Sequence, residues 1–154
     1  MSGQNVFDYQ QEIVRLRELF SFDFVGVALV QSVELRSVMK WVFATGNRSN
    51  RFRRIVLQTG KGVAGQVFKT GKPFLVEDAE KMLGRKDLYN YPIVVAEGLK
   101  SFGAIPLYKY NCVKGVLLVG YRTEKKLTPN DFAEFQQLIG PGFGPFYSKE
   151  MIGQ

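Results

Sequence analysis

The sequence contains no histidine, and its only cysteine is Cys112. Without an imidazole, the chain cannot form a histidine general base, a histidine-activated nucleophile or a histidine-ligated haem, and most zinc sites are excluded as well. A single cysteine excludes an internal disulfide framework and an internal thiol pair for redox exchange, which is typical of a reducing compartment. We therefore expect a cytoplasmic protein that is not an enzyme and that holds no metal and no cofactor.

The sequence also has no apolar run long enough to cross a bilayer, and its first residues lack the basic segment and apolar core of a signal peptide. No internal repeat, linker or low-complexity segment divides the chain. Its 154 residues are enough for one domain with a sizeable core. We expect a single domain over residues 1–154 that does not contact a membrane.

Basic residues outnumber acidic ones, which gives a formal net charge of +7. The basic residues come in small groups at Arg48–Arg54, Lys81–Lys86 and Lys125–Lys126. Each group is mixed with glycine or acidic residues or lies near a predicted turn, and the chain has no recognition-helix or RNA-binding signature. We expect no nucleic-acid partner, because such groups indicate solvated faces or a face for an acidic partner.

Hydrophobic periodicity in the first part of the chain predicts one helix followed by three strands. The helix is predicted over 4–21 and the strands over 23–31, 37–46 and 53–58. Because side chains alternate along a strand, Met39, Trp41 and Phe43 are predicted to share one face of the second strand. The third strand is predicted to run directly into a glycine-rich turn.

This glycine-rich stretch, from Gly60 to Pro73, is predicted to be a tight turn that opens into one short helix. Val63, Val67 and Phe68 are spaced to bury one side of the helix, and Gly71 ends it. The first turn of a helix has backbone N–H groups without partners and a partial positive charge. The stretch is therefore a candidate anion site, although side-chain caps or water satisfy most such helix starts.

The remainder of the chain is predicted to contain three more strands, at 74–76, 100–108 and 113–121. One or two helical turns over 78–83 are followed by a polar loop over 84–92 and by a segment at 93–98 that fits either helix or strand. The order of the elements predicts an α+β fold. We expect a central antiparallel sheet of about six strands, with the N- and C-terminal helices packed on one face.

Thr128 and Pro129 are predicted to begin the last helix, as its N-cap and its first helical residue. Glycines near 140 then break this helix. The aromatic residues that follow are predicted to form a shorter, loosely helical tail, which contains Phe143, Phe146, Tyr147 and Met151.

Two blocks of sequence, GKGVAGQVFKTGKPFLVEDA and FGAIPLYKYNCVKGVLLVGY, resemble the GAF domain family in their order and spacing, and the resemblance covers nearly the whole chain. This resemblance implies a sensory α+β module that binds a small ligand between the sheet and the loops on one face. Within the family, the chain is similar to the stand-alone bacterial nitrate receptors, which act beside an oxygen-sensing histidine kinase.

The resemblance also implies a set of ligand-binding residues. Nitrate would accept backbone N–H bonds from Val63 and Ala64 at the helix start, and from Ile93 in the loop before the fifth strand. Trp41 and Tyr91 would help to enclose the cavity, although a strand tryptophan is as often a core residue and a loop tyrosine is often exposed. Further candidates for the apolar wall are Leu57, Val67 and Pro92.

These residues lead to the hypothesis of a nitrate receptor that binds nitrate in a small enclosed cavity and changes the activity of a partner sensor histidine kinase in a two-component system. One alternative is an interaction module without this ligand, which forms a homodimer or binds a partner through its terminal helices. A less favoured alternative is a free methionine sulfoxide reductase. That activity uses several cysteines in the ligand loops, whereas this chain has only Cys112 elsewhere.

Overall fold

The computed structural model describes residues 6–140 and 142–147, which form one five-stranded antiparallel sheet with helices on both faces. The strands are β1 (Phe24–Val33), β2 (Arg36–Thr45), β3 (Phe74–Val76), β4 (Ser101–Lys109) and β5 (Cys112–Tyr121). The α-helices are α1 (Tyr9–Phe20), α2 (Gly62–Thr70), α3 (Ala79–Leu88), α4 (Pro92–Glu97) and α5 (Pro129–Ile139). The strand order is β2-β1-β5-β4-β3. Within the described residues, every helix is too short or too polar to span a bilayer.

Two hairpins with tight turns organise the sheet. Glu34 and Leu35 join β1 to β2, and Tyr110 and Asn111 join β4 to β5, all four with positive φ between 49° and 66°. A two-residue turn with positive φ at both positions matches the right-handed twist of the strands it joins. Both turns lie between strands that the sequence predicts. Five of the six predicted strands form, and each begins and ends within two residues of its expected bounds.

The terminal helices pack on one face of the sheet, as the sequence predicts. Ile13 and Leu16 of α1 and Phe132 and Phe135 of α5 belong to one buried cluster with Val27 and other inward residues of the sheet. The second cluster lies on the opposite face and contains residues of α2, α4 and the sheet. The candidate ligand-binding residues are therefore separated from the terminal helices by the sheet.

A β-bulge in β2 changes the predicted face of one aromatic residue. Val27 pairs with Phe43, whereas the next residue of β1, Ala28, pairs with Trp41, so Val42 is the extra residue in β2. Trp41 consequently belongs to the cluster under α2, while Phe43 packs against the cluster of the terminal helices. The prediction that Phe43 shares a face with Trp41 is wrong because strict alternation fails at a bulge.

The predicted strand over 53–58 does not form, and the sheet of the described residues has five strands instead of about six. A 3₁₀ helix over Asn50–Arg54 takes its place, followed by an irregular segment. The Ser49 hydroxyl accepts a hydrogen bond from the Arg51 N–H at 3.2 Å, and Phe52 is 2 % exposed. The cap and the single buried anchor favour a tight helical turn over an extended strand.

Helical structure also replaces most of the predicted polar loop. The helix predicted over 78–83 extends to Leu88 across Gly84, whose φ of 74° interrupts the helical backbone. The ambiguous segment at 93–98 is helical, because Pro92 begins α4 and Gly98 ends it with a left-handed φ of 62°. Proline and glycine therefore bound this short helix on both sides.

The chain ends differ from prediction as well. α1 begins at Tyr9 because the Asp8 carboxylate caps it, accepting from the Gln11 N–H at 2.9 Å. After α5, Phe143 and Phe146 exchange two backbone hydrogen bonds of 2.8 and 3.0 Å, so this segment is a tight turn rather than a helix. Met151 and residues 4 and 5, which belong to the predicted helices, lie outside the described residues.

A buried ion pair joins α4 to the sheet. The Arg122 guanidinium donates to a Glu97 carboxylate oxygen and to the Glu97 carbonyl, both at 2.6 Å, and Glu97 is fully buried. The same carboxylate oxygen accepts from the Arg48 N–H at 2.8 Å, and the Arg122 N–H donates to an Asp23 carboxylate oxygen at 2.7 Å. The network thus connects α4, the ends of β1 and β5, and the segment before the 3₁₀ helix.

Removal of the Glu97 carboxylate tests how much this network stabilises the fold. We expect Glu97→Ala to lower the free energy of unfolding by up to about 3–5 kcal/mol, because it leaves the partly buried Arg122 charge without its carboxylate partner. The control is Glu124→Ala, which removes an exposed carboxylate 3.5 Å from Lys100 and should change little. Urea denaturation measures both variants, and equal losses would contradict a special role for the Glu97 pair.

Candidate functional site

The glycine-rich turn presses closely against the start of α2. The Lys61 N–H donates to the Gln58 carbonyl at 3.0 Å, and the Gly60 N–H donates to the Gly65 carbonyl at 2.8 Å. A Cβ atom at Gly65 would lie 2.0 Å from the Gln58 carbonyl oxygen, so only glycine permits this approach. Gly62 has a φ of 71°, which also favours glycine. Sequence and packing therefore agree on why this stretch is rich in glycine.

The start of α2 has no side-chain cap. Lys61 is its N-cap residue and makes no capping hydrogen bond, whereas α1, α3 and α5 are capped by Asp8, Asp78 and Thr128. In the described part of the chain, the backbone N–H groups of Val63 and Ala64 have no acceptor. Both residues are almost fully buried. These donors and the partial positive charge of the helix start are therefore available to an anion.

The start of α4 is uncapped in the same way. Tyr91 is its N-cap residue without a side-chain capping bond, Pro92 has no N–H, and no described residue accepts from the Ile93 N–H. A Cβ atom at Gly62 would lie 3.8 Å from the Asn90 carbonyl oxygen, so the chain before α4 is next to the start of α2. The two uncapped helix starts therefore meet, while the capped α-helices begin elsewhere.

A hollow of about 260 Å³ lies where these two starts meet. Six of the eight predicted site residues line it: Trp41, Leu57, Val63, Ala64, Pro92 and Ile93. The other two, Val67 and Tyr91, do not line it but are buried in the same hydrophobic cluster as Trp41, Val63 and Ala64. The Tyr91 hydroxyl accepts a hydrogen bond from the Gln66 side chain at 2.9 Å, and the Tyr91 ring stacks on Phe74. Tyr91 is therefore placed to hold α4 against α2.

Trp41 has an unpaired polar atom in this region. Its side chain is 2 % exposed, and its indole Nε1 is buried without a hydrogen-bond partner in the described residues. A buried donor without an acceptor costs about 1–3 kcal/mol, and such groups are rare in folded proteins. An acceptor bound in the hollow would remove this cost.

The hollow is rich in donors and has no acidic side chain among its described lining residues. Its only charged side chain in that set is Lys61, which is exposed. The floor is buried and mainly apolar, whereas the rim includes the exposed residues Val56 and Tyr89. Such a site suits a small ligand with acceptor oxygens and a single negative charge. A multiply charged anion would cost more to remove from water, and its binding would require charged side chains to offset that cost.

Sequence reasoning missed the other lining residues, which are Ile55, Val56, Gln58, Lys61, Gly62, Tyr89 and Asn90. Most of them belong to the segments that were expected to be a strand at 53–58 and a polar loop at 84–92. The incorrect strand gave no reason to place Ile55 beside a ligand. The glycine-rich turn was the one signal that could have indicated Lys61 and Gly62.

Cys112 is exposed at the start of β5 and is not one of the residues that line the hollow. In the described ranges, no group of three or more histidine, cysteine, aspartate or glutamate side chains could hold a metal ion. The hollow therefore offers hydrogen-bond donors and shape, but no thiol.

The sequence model of the GAF domain matches residues 10–141 of the chain. No curated protein matches the sequence significantly. Two solved structures of NreA from Staphylococcus aureus, both described as mutated in the nitrate binding site, are similar to it. One is 37 % identical over 78 % of this chain and 87 % of that chain, with a TM-score of 0.73. The other is 35 % identical over 82 % of this chain and 96 % of that chain, with a TM-score of 0.74.

The expected resemblance to nitrate-binding members of this family is therefore confirmed. A more distant structure, a type II free methionine-R-sulfoxide reductase from Thermoplasma acidophilum, is 16 % identical with a TM-score of 0.63. It covers 84 % of this chain and 82 % of that chain. At this identity the similarity shows a shared fold alone.

A substitution at Gly65 tests the close approach that shapes the hollow. We expect Gly65→Ala to destabilise the protein by about 1–3 kcal/mol, because the added methyl group would overlap the Gln58 carbonyl oxygen. Gly142→Ala is the control, since a Cβ atom there would lie 3.5 Å from its nearest neighbour, an ordinary contact. The measurement is urea denaturation. A Gly65→Ala protein as stable as the control would show that the turn does not rest on α2.

Proposed function

The chain belongs to the GAF domain family, and on that premise we propose that it is a nitrate receptor rather than an enzyme. One observation carries the proposal: residues with unpaired donors line one hollow that has no carboxylate among its described lining residues. These donors are the Trp41 indole N–H and the backbone N–H groups of Val63, Ala64 and Ile93. The similarity to NreA structures described by their nitrate binding site supports the same ligand.

Nitrate fits the chemistry of these donors. It is planar and singly charged, and it is less strongly hydrated than sulfate or phosphate, so neutral donors in an apolar hollow suffice to replace its water. Backbone N–H groups at a helix start are already fixed in place, and binding them requires no side-chain ordering. Val63 and Ala64 would bind one side of the ion and Ile93 the other, with Trp41 as an additional donor. Leu57, Val67 and Pro92 would complete or support the apolar wall.

Signalling requires that nitrate bind one state of the protein better than another. The start of α4 is the element placed to respond, because Tyr91 and Ile93 connect the hollow to the surface loop that contains Tyr89. In this proposal, nitrate becomes enclosed as the loop orders around it. The altered surface then changes the inhibition of a partner sensor histidine kinase in the cytoplasm.

A second candidate function is dimerisation or partner binding through the terminal helices. The observation that favours it is the exposure of apolar side chains there: Leu19 of α1 is 57 % exposed and Leu138 of α5 is 42 % exposed. Because the sheet separates these helices from the hollow, such a homodimer would leave the nitrate site accessible. The reductase alternative is the least supported, since Cys112 lies outside the hollow.

Calorimetric titration with nitrate tests the receptor proposal. We expect saturable binding, and at 100 times the dissociation constant nitrate should stabilise the fold by about 2.7 kcal/mol. Trp41→Phe keeps an aromatic ring but removes the unpaired N–H, so the affinity should fall by about tenfold or more.

The control variant is Tyr121→Phe, which also removes one polar group from an aromatic ring. Its hydroxyl donates to the Phe20 carbonyl at 2.9 Å, and Tyr121 is in the cluster on the opposite face. Its nitrate affinity should match that of the unaltered protein. Nitrite, chloride and sulfate are the competing anions. If nitrate produces no heat and no shift in Tm, the proposal is contradicted. Equal nitrate affinities of the two variants would also contradict it.

A further inference from the structure

A second groove lies beside the nitrate hollow. Its volume is about 450 Å³, and its lining residues are Arg51, Arg54, Ile55, Tyr89, Pro92, Val95 and Ala96. Ile55, Tyr89 and Pro92 line both the groove and the hollow. The two depressions therefore share a wall, and a molecule in the groove would lie at the rim of the hollow.

Side chains with large apolar surfaces are exposed around this groove. Tyr89 is 79 % exposed and Val95 is 47 % exposed, and Val56, on the shared rim, is 77 % exposed. A single exposed apolar residue is ordinary, but a contiguous apolar patch with a polar edge is typical of an interaction surface. Tyrosine and arginine are also the residues that most often dominate the energy of protein interfaces.

The charges at the groove are positive. Arg51 and Arg54 are exposed, and neither forms an ion pair in the described residues. No carboxylate lines the groove in that part of the chain. Both arginines are on the 3₁₀ helix, which Phe52 anchors in the core. The guanidinium groups are thus attached to a fixed turn and remain available for carboxylates.

We propose that this groove binds an acidic, partly apolar segment of a partner protein. Carboxylates of the segment would pair with Arg51 and Arg54, because guanidinium groups form the strongest such pairs through two parallel hydrogen bonds. Apolar side chains of the segment would cover Tyr89 and Val95. The partner would then lie across the rim of the hollow.

Two other occupants fit the groove less well. A second copy of the chain related by a two-fold axis would bring two positive grooves together, which like-charge repulsion opposes. A nucleic acid would require a stripe of basic residues along its phosphate backbone, whereas Val95 and Ala96 form an uncharged part of this groove.

The shared wall also predicts coupling between the groove and the hollow, and this part of the inference rests on the proposed nitrate site. A segment that moves Tyr89 or Pro92 would change the affinity of the hollow for nitrate. By thermodynamic linkage, nitrate would change the affinity for the segment by the same factor. The segment is nevertheless expected to bind the groove in the absence of nitrate, because none of the pairs proposed above includes the ion.

The test uses a short synthetic peptide in which glutamates alternate with leucine and phenylalanine, added to the isotope-labelled full chain in nitrate-free buffer. We expect amide resonance shifts to concentrate at 51–55 and 89–96. The double variant Arg51→Glu, Arg54→Glu should weaken peptide binding by about tenfold or more, since it replaces attraction by repulsion. Tyr89→Ala should weaken binding without altering the charge.

Arg53→Glu is the matched control. Arg53 is on the same 3₁₀ helix, but its guanidinium lies over the Phe52 ring at 5.0 Å and does not line the groove. We expect a clearly smaller effect than for a single Arg54→Glu change. Comparable losses would overturn the proposal, because they would indicate a general response to charge.

Three other results would also overturn it: no binding of the peptide, shifts scattered over the whole basic surface, or equal binding of a peptide whose apolar residues are replaced by serine. Tighter binding of a single-stranded oligonucleotide that depends on the same arginines would favour a nucleic-acid partner instead. Because the buffer contains no nitrate, failure of the nitrate site would leave these results unchanged. Repeating the titration with nitrate measures the coupling separately.

Discussion

The architecture of the candidate site depends on the buried pair between Glu97 and Arg122. Glu97 ends α4, and its carboxylate also accepts from the Arg48 N–H, so one side chain positions two segments relative to β5. The first segment is α4, whose opposite end contains Ile93. The second is the chain after Arg48, which continues through the 3₁₀ helix to the wall of the hollow. A charge in the core is expensive unless it is paired, and this requirement keeps both walls in place.

Two other buried polar atoms lack partners in the described residues, the Arg17 Nε in α1 and one Glu97 carboxylate oxygen, but only near the hollow do several unpaired donors occur together. The fold caps α1, α3 and α5 with side chains, yet leaves α2 and α4 uncapped where they meet. The Trp41 indole is unpaired in the same region. A folded chain rarely leaves such groups without partners, so their convergence is better explained by a ligand than by three independent defects. Two arguments therefore support the proposed nitrate site: the unpaired hydrogen-bond donors that occur together there, and the similarity to the NreA structures.

The hollow and the neighbouring groove give the proposed receptor a short physical route from ligand to partner. Tyr89 and Pro92 line both depressions, and Pro92 is the first residue of α4. In the proposed receptor, a small ion would not need to deform the sheet to be sensed, because only the uncapped start of a six-residue helix would have to respond. The hydrogen-bonded sheet and the Glu97 pair connect the rest of the domain, so a conformational change at the rim of the hollow would not need to extend into the core.

Local signals in the sequence were sufficient for the hairpins, the capped start of α5 at Thr128, and the glycine-rich start of α2, because each depends on residues close together in the chain. Six of the eight predicted site residues line one hollow, a placement that derives from the family resemblance. The features that follow could be identified only from the tertiary structure. The bulge at Val42 separates Trp41 from Phe43, the burial of Phe52 in the core favours a tight turn where a strand was predicted, and Glu97 pairs with Arg122 across 25 positions. Such features arise from packing between distant segments, and local patterns contain no information about which distant segments meet.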